Sequence, residues 1–142
     1  MLKAEKITKK FRTGFRQKKF ILNGVDFTAN KGEFICIIGK SGEGKTTFLK
    51  ILAGITVPNS GKISYQGRKV GFFKGFYRKK LSFIFQDYKL IKHLNVFENV
   101  SLPLRIRDIP GWKENTRKWL DYVGIGALKK RYPHQISGGE SQ

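Results

Sequence analysis

The nine residues "GKSGEGKTT" at positions 39–47 have the types and the spacing to hold a chain of phosphates. Gly39, Gly44, Lys45 and Thr46 match the pattern G-x-x-x-x-G-K-[ST]. Glycines at 39, 42 and 44 let the backbone wrap closely, so that successive N–H groups from residues 42–47 turn toward phosphate oxygens. A helix starting there adds its positive N-terminal end. Lys45 would bring a mobile cation to the β- and γ-phosphates, and the Thr46 hydroxyl could ligate Mg²⁺. Lys40, Ser41 and Thr47 complete the cradle. Glu43 is the oddity, an acid inside an anion site. It is expected to point outward, because its backbone N–H is the group an anion needs. A second constellation, "ISGGE" at 136–140, sets the Ser137 hydroxyl and the unhindered N–H groups of Gly138 and Gly139 before a candidate helix. That too is an anion site, although Ser-Gly-Gly is also an ordinary flexible loop.

A phosphate loop needs a strand to anchor its start and a helix to anchor its end. "GEFICIIG", just upstream, is a short apolar run with β-branched content, as expected of a strand covered on both faces. "KTTFLKILAG" reads as a helix, with Phe48, Ile51 and Leu52 at helical spacing and Gly54 at its C-terminal cap. The first 31 residues, with "KFILNGVDF" the clearest run, predict a small antiparallel lobe. "PNSG" predicts a turn, "KISYQG" a short strand and "LSFIFQ" at 81–86 another apolar strand. Beyond residue 93 the pattern turns helical. Asn95 and Glu98 form a capping box ahead of one helix, which Pro103 should end or kink. "WKENTRKWLDYVGIG" predicts a second, with Trp112, Trp119, Leu120 and Val123 as its apolar face and Gly124 as its stop.

The composition is that of a globular chain of 142 residues, 39% hydrophobic and 13% aromatic. A lone cysteine, Cys36, argues against a disulfide framework and fits a reducing compartment. No apolar stretch approaches the ~18 residues of a membrane span, so the chain reads as cytoplasmic. Its formal charge is +19, from 29 Lys and Arg against 10 Asp and Glu. The basic residues cluster in "KKFRTGFRQKKF", in "FYRKK" at 76–80 and in "KKR" at 129–131. A solvated lysine-rich surface, an anionic membrane surface and nucleic acid all fit that balance.

Taken together, the phosphate loop, the strand "LSFIFQ" ending on Gln86 and the "ISGGE" stretch resemble the ABC-type ATPases, whose signature is usually written LSGGQ. "YPHQ" before the signature and "FQDYKL…NVFENVSLPL" look most like the subgroup of lipoprotein-releasing, macrolide-export and cell-division ATPases. The resemblance implies an incomplete α/β P-loop NTPase fold. It would comprise an antiparallel lobe over 1–31, a P-loop core with part of a RecA-like sheet over 32–87, a helical subdomain over 88–136 and the signature over 137–142. It implies that Phe11, where tyrosine is commoner, stacks on adenine, and that Gln86 reaches Mg²⁺ and the attacking water. Ser137, Gly138, Gly139 and Glu140 would serve the γ-phosphate held by a second copy, in an ATP-dependent head-to-tail homodimer. An integral membrane subunit would dock on the helical subdomain, at the cytoplasmic face of the membrane. The family's Mg²⁺-holding Asp, catalytic Glu and switch histidine follow the signature. His93 and His134 both precede it, and Asp87 matches no catalytic position. The resemblance therefore implies a shortened domain that binds Mg-ATP and hydrolyses it at or near background. Two other readings stay open: a nucleotide-binding module without turnover, and a non-transport ABC ATPase acting on nucleic acid.

Overall fold

The computed structural model describes residues 1–12, 18–71 and 81–142. The "FYRKK" cluster, part of "KKFRTGFRQKKF" and Phe15 lie outside the described residues. Two compact units are present, Met1–Phe83 and Ile84–Gln142.

The first unit is built on a four-stranded antiparallel sheet in the order β2-β1-β3-β4. Its strands are β1 (Leu2–Arg12), β2 (Lys18–Ala29), β3 (Ser60–Tyr65) and β4 (Arg68–Lys69). The expected lobe and the "KISYQG" strand are both there. In β1, Ala4 and Ile7 are both fully buried, although an odd spacing places residues on opposite faces of a regular strand. A register shift between Ala4 and Ile7 restores the phase, with Lys6 at φ 50. The Asp26 carboxylate accepts the Lys6 N–H at 2.8 Å and steadies this irregular backbone.

Helix α1 (Lys45–Leu52) contributes Phe48, Ile51 and Leu52 to one core with Ala4, Ile7, Leu22, Ile63 and Val70. Phe48 also meets Phe27 edge to face, ring centroids 5.5 Å apart. Gly54 follows at φ 69 and donates to the Ile51 carbonyl, as expected of the stop.

Two strand expectations need correction. Residues 33–40 run without a ladder, with Phe34 97% and Ile38 89% exposed. Residues 81–86 also form no strand, and Ile84 is 86% exposed. An apolar run becomes a strand only where a neighbour takes up its backbone hydrogen bonds. Among the described residues neither run belongs to the β2-β1-β3-β4 sheet. Ile37 and Leu81 nonetheless pack against the core of the first unit.

The second unit holds α2 (Val96–Ile106), α3 (Trp112–Tyr122), two 3₁₀ turns and the short α4 (Gly138–Ser141). Asn95 and Glu98 form the expected capping box at α2. The next donors are also satisfied: Val96 N–H reaches the Arg131 carbonyl at 2.8 Å, and Phe97 N–H that of Lys129 at 3.0 Å. Pro103 does not end α2, which runs three residues past it. Proline removes one donor from the ladder, and the turns on both sides hold.

In α3 the buried residues are Thr116 and Leu120, with Trp112 half-buried, whereas Trp119 and Val123 are exposed. The inward stripe therefore follows i, i+4 through 112, 116 and 120. Thr116 tolerates burial because its hydroxyl donates to the Trp112 carbonyl at 2.6 Å. Trp112 meets Phe97 of α2, ring centroids 6.2 Å apart. Gly124 ends the helix region at φ 77, as expected. Among the described residues no helix is long and apolar enough to cross a membrane.

Candidate functional site

The loop at 39–47 lies directly before α1, and Gly44 is the helix N-cap in a left-handed conformation, φ 90 and ψ 7. A Cβ there would lie 2.7 Å from Ile21 Cγ2 and 2.9 Å from the Ile21 carbonyl oxygen. Strand β2 thus presses on the turn, and glycine meets both demands. Gly44 has no side chain with which to cap α1, so the N–H groups of its first turn are suited to an external acceptor. Phe48 N–H is the first to bond within the helix, to the Gly44 carbonyl at 2.8 Å.

Two charged side chains fold over the same loop. Lys45 Nζ donates to the Gly39 carbonyl at 2.8 Å and to the Lys40 carbonyl at 2.6 Å. The Glu43 carboxylate accepts the Lys40 N–H at 2.8 Å. Glu43 therefore does not point outward as expected. Its own loop offers an N–H donor three residues back, and a free carboxylate takes it. A Cβ on Gly39 would collide with Glu43 Oε2. Ser41, Gly42 and Thr46 are exposed and Thr47 is half-buried. Among the described residues no group of three or more His, Cys, Asp and Glu side chains is arranged to hold a metal.

Phe11, in the same unit, is 45% exposed near the end of β1, opposite Lys19 of β2. The ammonium of Lys9 lies 5.3 Å from its ring centroid. Its ring is available to a planar partner and is not part of the lobe's core.

The remaining candidates lie in the second unit. Gln86 is exposed at a bend, and Asp87 beside it pairs with Lys89. Ser137 is the N-cap of α4, its Oγ accepting the Glu140 N–H at 3.3 Å. The Glu140 carboxylate accepts the Ser137 N–H at 2.7 Å, and that backbone bond leads the causes that hold its pKa below the ordinary 4.5. A Cβ on Gly139 would meet nothing within 4 Å, and one on Gly138 only the Tyr88 hydroxyl at 3.5 Å. Crowding among the described residues does not account for either glycine.

Two contributions were not visible in the pattern. Ile21 and Leu22 back the phosphate-type loop from a strand far away in sequence. Asn99 ties residues 91–95 to α2: its side-chain oxygen accepts the Ile91 N–H at 2.8 Å, and its amide donates to the carbonyls of Ile91, Leu94 and Asn95. The closely spaced asparagines in "NVFEN" were a usable signal for such a brace.

The family model of the ABC transporter matches residues 22–142. An uncharacterised ABC transporter ATP-binding protein of Methanocaldococcus jannaschii is 38% identical over all of this chain and 66% of its own length. A bacitracin export ATP-binding protein of Halalkalibacterium halodurans is also 38% identical over all of this chain and 58% of its own. Among solved structures, a dimeric ATP-binding cassette in a post-hydrolysis state bound to ADP and Pi gives a TM-score of 0.86 at 28% identity. That match covers 99% of this chain and 65% of the solved one. A second dimeric structure, of a bacterial ABC transporter cassette, gives 0.85. The chain thus spans between 58% and 66% of the length of the two relatives and of the first cassette. The fold is the P-loop fold of the ABC ATPase cassettes, and the chain belongs to the ABC transporter family of ATP-binding proteins.

Proposed function

We propose that this chain is the nucleotide-binding part of an ABC-type transporter or related membrane complex, and that it takes Mg-ATP on residues 39–47. The observation that carries this reading is the uncapped N-terminus of α1 behind a glycine loop, with the Lys45 ammonium gathered over it. The open N–H groups and the helix end would receive phosphate oxygens. Lys45, already across the loop, would shift from two carbonyls toward the phosphates. Mg²⁺ keeps several waters and is held largely by substrate phosphates, and a phosphate-loop Ser or Thr hydroxyl is one of the protein oxygens that hold it. Thr46, exposed in the first turn of α1, would supply one such oxygen.

Mg-ATP at about 100 times its dissociation constant should raise the unfolding free energy by roughly 2.7 kcal/mol. A thermal-shift titration reads this directly. An unchanged melting curve for the folded chain would overturn the assignment.

Phe11 is the proposed adenine platform. Phe11→Ala should weaken ATP and ADP alike, by about 1–3 kcal/mol, as for base–aromatic stacking elsewhere, while Phe11→Tyr stays near the parent. Equal affinity in the alanine variant would move the platform to another residue.

At the level of assembly, residues 137–140 would close on the nucleotide of a second copy in a head-to-tail dimer. Support comes from the two glycines that internal crowding leaves unexplained and from the dimeric state of the solved cassettes. The helical stretch 88–136 would receive an integral membrane subunit, placing the protein at the cytoplasmic face of the membrane. "YPHQ" and "FQDYKL…NVFENVSLPL" favour the lipoprotein-release, macrolide-export and cell-division subgroup.

A further inference from the structure

The geometry points to Glu43 as a built-in competitor for the anion site of its own loop, raising the nucleotide concentration needed to fill it. The inference rests on the reading of residues 39–47 as the nucleotide site. Glu43 lies immediately before the N-cap of α1, and its carboxylate turns back over the loop to the Lys40 N–H at 2.8 Å. It reaches in so far that Oε2 takes the space a side chain on Gly39 would need. Lys45 Nζ is held on the carbonyls of the same two residues, Gly39 and Lys40. The cation and the anion are thus gathered on one short stretch of backbone.

A polyphosphate entering here meets one negative charge that a neutral residue would not present. Two like charges a few ångströms apart at a protein surface repel appreciably even when water screens them. The nucleotide must tolerate that charge or push the carboxylate off Lys40. The penalty grows with the charge on the phosphate chain, so it weighs more on ATP than on ADP.

Glu43→Gln keeps the size of the side chain and an oxygen for the Lys40 N–H, and removes only the charge. Glu43→Ala removes both the charge and the oxygen. Mg-ATP and Mg-ADP are titrated by calorimetry into the parent chain and the two variants, at low and high salt. Glu43→Gln should bind Mg-ATP roughly tenfold more tightly than the parent at low salt. The gain should be smaller for ADP and shrink as salt is raised. Glu43→Ala should also bind more tightly than the parent. If the parent binds ATP while Glu43→Gln matches it or falls below it, Glu43 is only a brace for the loop and the competitor is overturned, with the nucleotide site intact. If neither the parent nor either variant binds, the nucleotide reading itself fails and takes the competitor with it.

Discussion

Lys45→Ala is expected to lower Mg-ATP affinity by about 2–5 kcal/mol, the cost of deleting one partner of a desolvated, hydrogen-bonded charge pair. The free chain should change much less. In it the ammonium serves two carbonyls at an exposed loop, where water replaces a lost partner. Bound phosphates would lose more. Their charge would then be met only by the first-turn N–H groups and the helix dipole, worth roughly half an elementary charge. Titration calorimetry on parent and variant reads the difference, and unfolding of the free variant controls for damage. Equal affinities would remove Lys45 from the site.

Gly61→Ala is expected to destabilise the first unit by roughly 2–5 kcal/mol, combining a left-handed backbone penalty with overpacking. Gly61 sits at φ 97, and a Cβ there would lie 2.5 Å from the Lys6 carbonyl oxygen and 2.6 Å from that of Glu5. Both are backbone atoms of the irregular part of β1, so neither can swing aside. Gly67→Ala is the control. Gly67 is also left-handed, at φ 76, but a Cβ there meets nothing within 4 Å. It should lose only the conformational part, about 1–2 kcal/mol. Denaturant unfolding of both variants separates the two contributions. Equal losses would mean that β1 makes room and that the close approach costs nothing.

The features legible in the residues alone are those set by chemistry within a few positions along the chain. The loop at 39–47 is contiguous. Asn95 and Glu98 cap α2 across one turn, and Gly54 and Gly124 stop their helices where they stand. Such codes act within a turn of helix or a pair of strands, so no tertiary knowledge is needed to read them. Tertiary structure decided what depends on neighbours brought from far along the chain. Residues 33–40 and 81–86 have the composition of strands, yet a ladder needs a second backbone alongside, and composition does not supply one. Thr116 is buried because its face of α3 is packed, and the carbonyl one turn earlier satisfies the hydroxyl that the packing buries. The inward phase of β1 changes at Lys6, where Asp26 holds the backbone from across the sheet. Gly44 is needed both for its own φ and because Ile21 presses on it from β2. Glu43 is a local case that the pattern left open: the sequence showed an acid in an anion site, and the folded loop presents the Lys40 N–H to its carboxylate. An unpaired carboxylate takes the nearest donor the folded backbone presents.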